Sequence, residues 1–369
     1  VTQIPVTPAV GQRPLRIAMV VPPWYELPPP GYGGLEQVVS ALVDGLAALG
    51  HDVTLFGAGS GTGTAAEFVG TDQLQNSRLG QALPELAHVA RTNRMIADGD
   101  FDIVHDHTTI GPLAASRRET PTVATVHGAP VGELADILKG VDPQVALVAI
   151  SHSQRALVRG LPWVATVHNA MAGSGVSKPA PSDGPVVWLA RFSPDKGPDL
   201  AIEAAREAGL PLVLAGKCTE PGEAQYLAEV IEPMLGPDVT LLRNPERETC
   251  AELLLRARCL IMPIRWSEPF GMVMLEAMSA GTPVVALNRG AVPELVRHGE
   301  TGFVHEDPAE LPQSLRDVLG LDPAACVEHV RTQFGADRMA RAYERVYRRW
   351  VSNDRSAPLE REMMVTSAT

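Results

Sequence analysis

The sequence predicts an α/β protein made of two doubly wound parallel-sheet domains, and three observations carry that expectation. Short runs rich in Val, Ile and Leu alternate with longer segments of helical periodicity, the pattern of a parallel sheet covered by helices on both faces. The runs fall into two sets, parted by a stretch of Ala, Gly, Ser, Pro and Lys without periodicity. A length of 369 residues exceeds what one hydrophobic core ordinarily serves.

In order along the chain, the first set of strands is expected at 15–21, 52–57, 102–105, 122–126, 145–150 and 164–167. Each is a buried-strand run bounded by Gly, Pro, Asp or Asn. Between the first two, Leu35, Val38, Val39, Leu42, Val43 and Leu46 keep helical spacing up to Gly50. The second set is expected at 185–190, 211–215, 238–242, 259–262 and 283–286. The predicted division is a domain over 1–171, a linker over 172–184, a second domain over 185–336, and a helix over 337–352 crossing back to the first domain. Residues 353–369 read as a flexible tail. The last helix sets Met339, Tyr343, Val346 and Trp350 on one face and Arg338, Arg341, Arg345 and Arg348 on another, read as a solvated basic face.

Composition narrows the function. Hydrophobic residues make up 45% and charged residues 20%, which suits an ordinary globular chain. Against 43 acidic side chains stand 31 basic ones, a net charge of -12 that repels nucleic acid and anionic lipid. Residues 1–171 hold 10 basic and 15 acidic side chains, so this half lacks the basic face that a lipid-linked acceptor would favour, and stable membrane association is not expected. Cys218, Cys250, Cys259 and Cys326 form no Cys-x-x-Cys pair and read as reduced thiols. With no spanning run and no signal-peptide pattern, a cytoplasmic location is expected.

Three motifs tempt a functional reading and are set aside. The Gly57–Gly63 run follows the second strand and puts Thr62 where a dinucleotide fingerprint needs its third glycine. Gly216-Lys217-Cys218-Thr219 resembles the end of a P-loop, but Pro211 stands where the first glycine belongs. In His105-Asp106-His107, alternation along a strand separates Asp106 from the two histidines, which disfavours a metal site.

What remains forms a constellation. Gly33 and Gly34 precede the first helix and leave backbone N–H groups open to an anionic or hydroxyl-rich ligand. Arg191 and Lys196 flank a Ser-Pro turn just past the first strand of the second domain, where a planar fork and a point charge can converge on one diphosphate. Ser267-Glu268-Pro269-Phe270-Gly271 leads into a helix that carries Glu276 among apolar residues, a carboxylate expensive to bury unless it accepts hydrogen bonds. Ligand hydroxyls would serve.

With Arg191 and Lys196, Glu268 and Glu276 separated by seven residues, and Gly281-Thr-Pro-Val-Val following, the chain resembles the retaining nucleotide-sugar glycosyltransferases of family 4. The likeness runs from Arg16 to about Val304. It implies the GT-B fold, two Rossmann-like doubly wound domains facing across a cleft. It also implies a nucleoside-diphosphate sugar as donor, a small molecule or oligosaccharide as acceptor, and no metal or other cofactor. By this resemblance Arg191 and Lys196 hold the diphosphate, Glu276 takes the ribose hydroxyls, and Glu268 lies against the donor sugar. Phe270, Gly271 and Met272 offer amides to the sugar and the distal phosphate, and Gly33 and Gly34 cover the phosphates. His127 matches the histidine placed beside the donor sugar, while Asp106 and His107 fall where acceptor contacts are found. Catalysis by His127, Arg191, Lys196 and Glu268 would proceed by front-face attack with retention.

Two departures and two alternatives complete the reading. Ala190 replaces the glycine that usually precedes the arginine, and His168-Asn169-Ala170-Met171 replaces an Asn-Gly turn. Arg265 and Trp266, just before Ser267, are read as shaping selectivity. The alternatives are a nucleotide-sugar epimerase of the same fold and a non-catalytic sugar-nucleotide-binding protein; the spaced glutamates with Arg191 and Lys196 argue for the transferase.

Overall fold

The structure, a computed structural model, describes residues 13–27, 34–59, 61, 63–171 and 183–352. The chain divides into two compact units. The first takes the residues up to Ala170 together with the helix that begins at Ala336, and the second runs from Met171 to Gly335.

The sheet of the first unit contains β1 (Arg16–Val20), β2 (Asp52–Ala58), β3 (Glu67–Asp72), β4 (Ile103–Asp106), β5 (Thr122–Val126), β6 (Ala146–Ala149) and β7 (Trp163–Thr166). Their spatial order is β3-β2-β1-β4-β5-β6-β7, with every pairing parallel. The order reverses between β1 and β4, the switch point where doubly wound sheets open a crevice at their carboxyl ends. In the central strands nearly every residue is buried, because helices cover both faces.

In the second unit lie β8 (Val186–Leu189), β9 (Leu212–Gly216), β10 (Val239–Arg243), β11 (Cys259–Met262), β12 (Val284–Leu287) and β13 (Gly302–His305). Their order is β10-β9-β8-β11-β12-β13, again parallel throughout, with the reversal between β8 and β11. Trp188, Phe192, Ile202, Leu214 and Ile261 fill the core on one face.

The helix Ala336–Val351 belongs to the first unit and packs on the helix Gly34–Ala48 and on β4 and β5. Met339, Tyr343, Val346, Tyr347 and Trp350 are buried on its apolar face, and Trp350 Nε1 donates to the Gln144 carbonyl at 2.7 Å. All four cysteines are free thiols. No described helix is long and apolar enough to cross a membrane.

Candidate active site

In the second unit the sequence-predicted residues gather at the carboxyl ends of the strands. Arg191 follows β8, and the turn Pro194–Lys196 brings Lys196 back under Trp188, whose Nε1 donates to the Lys196 carbonyl at 3.0 Å. After β11 the chain runs through Trp266 and Glu268 to the helix Met272–Ser279. These two segments meet in one cluster. Lys196 Nζ donates to Glu268 Oε2 at 2.5 Å and sits 4.5 Å above the Trp266 ring, while Trp266 Nε1 donates to the same carboxylate oxygen at 3.0 Å. Both members of the ion pair are largely buried, with side chains 12% and 11% exposed, so the pair is shielded from solvent screening.

Two glycines make this geometry possible. Gly271, at φ +97°, turns the chain into the helix in a left-handed conformation that side chains avoid. Gly290, at φ +59°, lets the turn after β12 press on the Glu268 backbone, where an added Cβ would lie 2.2 Å from the Glu268 nitrogen. Ala291 N then donates to the Glu268 carbonyl at 2.9 Å and fixes the loop. Phe270 and Met272 are buried on either side of Gly271.

Arg191 remains half exposed and is held by one nitrogen, Nη1, at 3.3 Å from Glu223 Oε1. Glu223 is buried, and its other oxygen accepts from the Thr219 and Glu220 amides at 2.9 and 3.1 Å. It therefore acts as a fixed anion that steers the guanidinium without enclosing it.

Glu276 presents the sharpest anomaly. Its Oε1 is inaccessible and has no hydrogen-bond partner, and burial raises its pKa to about 7 despite the nearby charge of Arg247. A carboxylate held in this way is expensive in the ligand-free protein and becomes satisfied when a hydroxyl donates to it.

In the first unit, Gly34 is the opening residue of its helix, and Gly33 lies outside the described residues. His127 follows β5 and is half-buried, with desolvation pushing its pKa down to about 4. Its Nε2 lies 2.9 Å from His107 Nδ1, and His107 Nε2 lies 3.1 Å from Met19 Sδ. The His105 ring lies tilted against His107, with 4.0 Å between ring centres, and is bonded to Thr125 Oγ1 and to the Tyr347 hydroxyl, each at 2.7 Å.

Asp106 and His107, expected to contact an acceptor, both have partners within the first unit in this arrangement. Asp106 is fully buried on the opposite face of β4, where Oδ1 accepts from the amide and hydroxyl of Thr108 and Oδ2 from Arg118 at 3.1 Å. Every oxygen is engaged in holding the turn that follows. His107 is 4% exposed with both ring nitrogens partnered, so it supports His127 from beneath. Arg265 is likewise committed elsewhere, forked on Asp199 at 2.8 and 2.6 Å, which leaves Trp266 alone of that pair in the cluster. Glu223, Gly290 and Met19 escaped sequence reasoning, since nothing in their local sequence marks a long-range partner.

Each unit matches a different family description. Residues 177–325 match the glycosyl transferases group 1, and residues 32–142 match glycosyltransferase family 4. The two matches together support a glycosyltransferase of the family 4 type, with the two-domain GT-B fold. Among particular relatives, it is 29% identical over 293 residues to a D-inositol 3-phosphate glycosyltransferase of Mycobacterium sp. (strain KMS), a match that spans 67% of this chain and 66% of that protein. It is 27% identical over 432 residues to the enzyme of the same name from Acidothermus cellulolyticus, across 94% of this chain and 93% of the relative. The crystal structure of AviGT4, a glycosyltransferase involved in avilamycin A biosynthesis, superposes with a TM-score of 0.69 at 26% identity, covering 92% of this chain and 98% of that one.

Proposed function

We propose that the protein transfers a sugar, with retention of anomeric configuration, from a nucleoside-diphosphate sugar to an acceptor hydroxyl. The observation that carries this reading is the inaccessible, unpartnered Oε1 of Glu276, on the same helix whose entry holds Glu268 against Lys196. A nucleotide ribose supplies the missing hydroxyl donors.

In this reading departure of the nucleoside diphosphate builds negative charge on the phosphates. Arg191 meets it as a partly exposed fork and Lys196 as a point charge, already desolvated and oriented by Glu268 and Trp266. Groups fixed in advance stabilise developing charge without reorganising, an effect worth several kcal/mol. Glu268 lies against the donor sugar, and the amides of Phe270, Gly271 and Met272 contact its hydroxyls and the distal phosphate. His127, neutral at physiological pH, is the histidine read as contacting the donor sugar. The leaving phosphate takes the acceptor proton in a front-face attack, and Arg191 and Lys196 supply the positive charge at the diphosphate.

The relatives named above act on an inositol phosphate in one case and in avilamycin A biosynthesis in the other. With 10 basic against 15 acidic side chains, residues 1–171 favour a soluble acceptor here, a small molecule or an oligosaccharide.

Thermal shift of the wild type and of Glu276→Ala with UDP, GDP, ADP, dTDP and NAD tests the reading. A ligand present at about a hundred times its Kd adds roughly 2.7 kcal/mol. One nucleoside diphosphate is expected to stabilise the wild type and to lose most of that effect in the variant. Stabilisation by NAD alone, or by none of the five, overturns the donor assignment. Once a donor is known, NMR of the product's anomeric centre decides retention against inversion.

A further inference from the structure

Met19 is fully buried in β1, and its sulfur lies 3.1 Å from His107 Nε2. A thioether sulfur carries no hydrogen, so the proton of that contact sits on His107 Nε2. Burial keeps His107 neutral, with a single ring proton. Its Nδ1 is therefore bare and can only accept, and the proton shared across the 2.9 Å contact between the two rings belongs to His127 Nε2. His127 is also neutral, which leaves its Nδ1 without a proton. That nitrogen makes no hydrogen bond among the described residues.

The supporting ring cannot easily turn to undo this assignment. His105 packs against His107 with ring centres 4.0 Å apart, and its own nitrogens are held by Thr125 and Tyr347. Thr125 is bonded in turn to the Tyr343 hydroxyl at 2.8 Å. A wall of four polar side chains thus backs the pair, closed by the C-terminal helix.

We propose that Met19 is a positioning residue: through His107 it fixes His127 as the Nε2–H tautomer and presents His127 Nδ1 as a hydrogen-bond acceptor for a hydroxyl of the glycosyl donor. The inference rests on the reading of His127 as a donor-sugar contact. It assigns a polarity to that contact, because the sugar must donate. A donor analogue with this hydroxyl replaced by fluorine or hydrogen loses the bond, whereas a neighbouring hydroxyl can be altered without that loss.

Long-range proton–nitrogen NMR correlation on protein labelled with 15N-histidine reads the tautomer of each ring, with His107→Gln and His127→Gln spectra for assignment. The wild type is expected to show Nε2–H forms at both positions. A dominant Nδ1–H form at either ring overturns the proposal. Met19→Leu is close in volume and is expected to fold. It should turn His107 into a mixture of tautomers, with His127 following, and lower kcat/KM on the order of tenfold while nucleoside-diphosphate Kd stays unchanged. A folded Met19→Leu protein with both tautomers intact removes Met19 from the role. Should that variant fail to fold, the wild-type spectrum decides. Nε2–H forms at both rings in a protein that binds no nucleoside diphosphate would sink the transferase reading and leave the tautomer assignment standing.

Discussion

Burial of Glu276 becomes a pH dependence. Its folded pKa of about 7 stands above the ordinary carboxylate value of 4.5, so the folded protein holds a proton that the unfolded chain has released. Stability contributed by the protonated form is full below about pH 4.5 and is lost as pH rises through about 7. A shift of this size corresponds to about 3 kcal/mol as an upper bound. Glu276→Gln is therefore expected to match the wild type near pH 4 and to exceed it by about 2 kcal/mol at pH 8, as read by urea denaturation without ligand. Ribose hydroxyls favour the ionised carboxylate, so binding should lower the pKa and expel a proton. Nucleoside-diphosphate affinity should rise with pH across about 6 to 8 in the wild type, and more weakly in Glu276→Gln, where only the phosphates titrate. Calorimetry in buffers of different ionisation enthalpy measures the proton directly, and equal proton release in both proteins would discard the assignment. At Lys196 the expected effect is catalytic. Lys196→Ala strands Glu268 half-paired with Trp266 and should lower kcat/KM at least a hundredfold, checked by initial rates with the identified donor. Both positions were legible in the sequence because a charged residue at a strand end or inside an apolar helix is conspicuous. Glu223 was not, since its partner Arg191 lies 32 residues away.

Elements that hold the site are more fragile than their lengths suggest. The turn after β12 depends on Gly290, where any Cβ meets the Glu268 backbone and the left-handed φ adds strain. Gly290→Ala should destabilise the protein by about 2 kcal/mol or more and displace Glu268, lowering nucleotide affinity along with the urea midpoint. Loss of stability with donor binding unchanged would show that the turn only shapes the fold. At this scale the sequence is legible where a strand keeps a run of β-branched and aliphatic residues, as in β1, β8 and β12. Eleven strand runs were expected, and the two missed are β3 and β13, both at sheet edges. In β3, Glu67-Phe-Val-Gly-Thr-Asp has an acid at each end, a glycine inside and a single buried residue; in β13, Gly-Phe-Val-His is four residues long with three of them partly exposed. Edge position alone does not hide a strand, since β7 and β10 lie at the other two edges and were expected from their Trp-Val-Ala-Thr and Val-Thr-Leu-Leu-Arg runs; β3 and β13 lack such a run. The partners of Asp106 were hidden for a related reason. Alternation told which residues share a face, but the side of the sheet each face lay on depended on Arg118 and Thr108, whose pairing is tertiary.

For the whole molecule, the chain leaves the first unit at Met171 and returns to it at Ala336, so the first unit is completed only when the last helix is in place. That helix buries Met339, Tyr343, Val346, Tyr347 and Trp350, and its two tyrosine hydroxyls satisfy Thr125 and His105 in β5 and β4. At about 1.5–3 kcal/mol for each large apolar side chain buried, its contribution is on the order of 10 kcal/mol, comparable with the entire stability of an ordinary domain. A chain ending at Gly335 also leaves His105 Nδ1 without its hydrogen-bond partner in a buried site. Such a truncation is expected to unfold the first unit at 25 °C while the second, which holds its own six-stranded sheet and core, stays folded. Amide hydrogen exchange separates the two. Protection should vanish from β1, β4 and β5 and persist in β8, β11 and β12, and binding of nucleoside diphosphate should survive in part, because Arg191, Lys196, Glu268 and Glu276 all lie in the second unit. Sugar transfer should be lost altogether, since His127 and its Met19-supported tautomer belong to the unit that melts. Retained protection in β4 and β5 would mean that the sheet is stable without its last cover, and the helix would then be an attachment and not the completion of the first core.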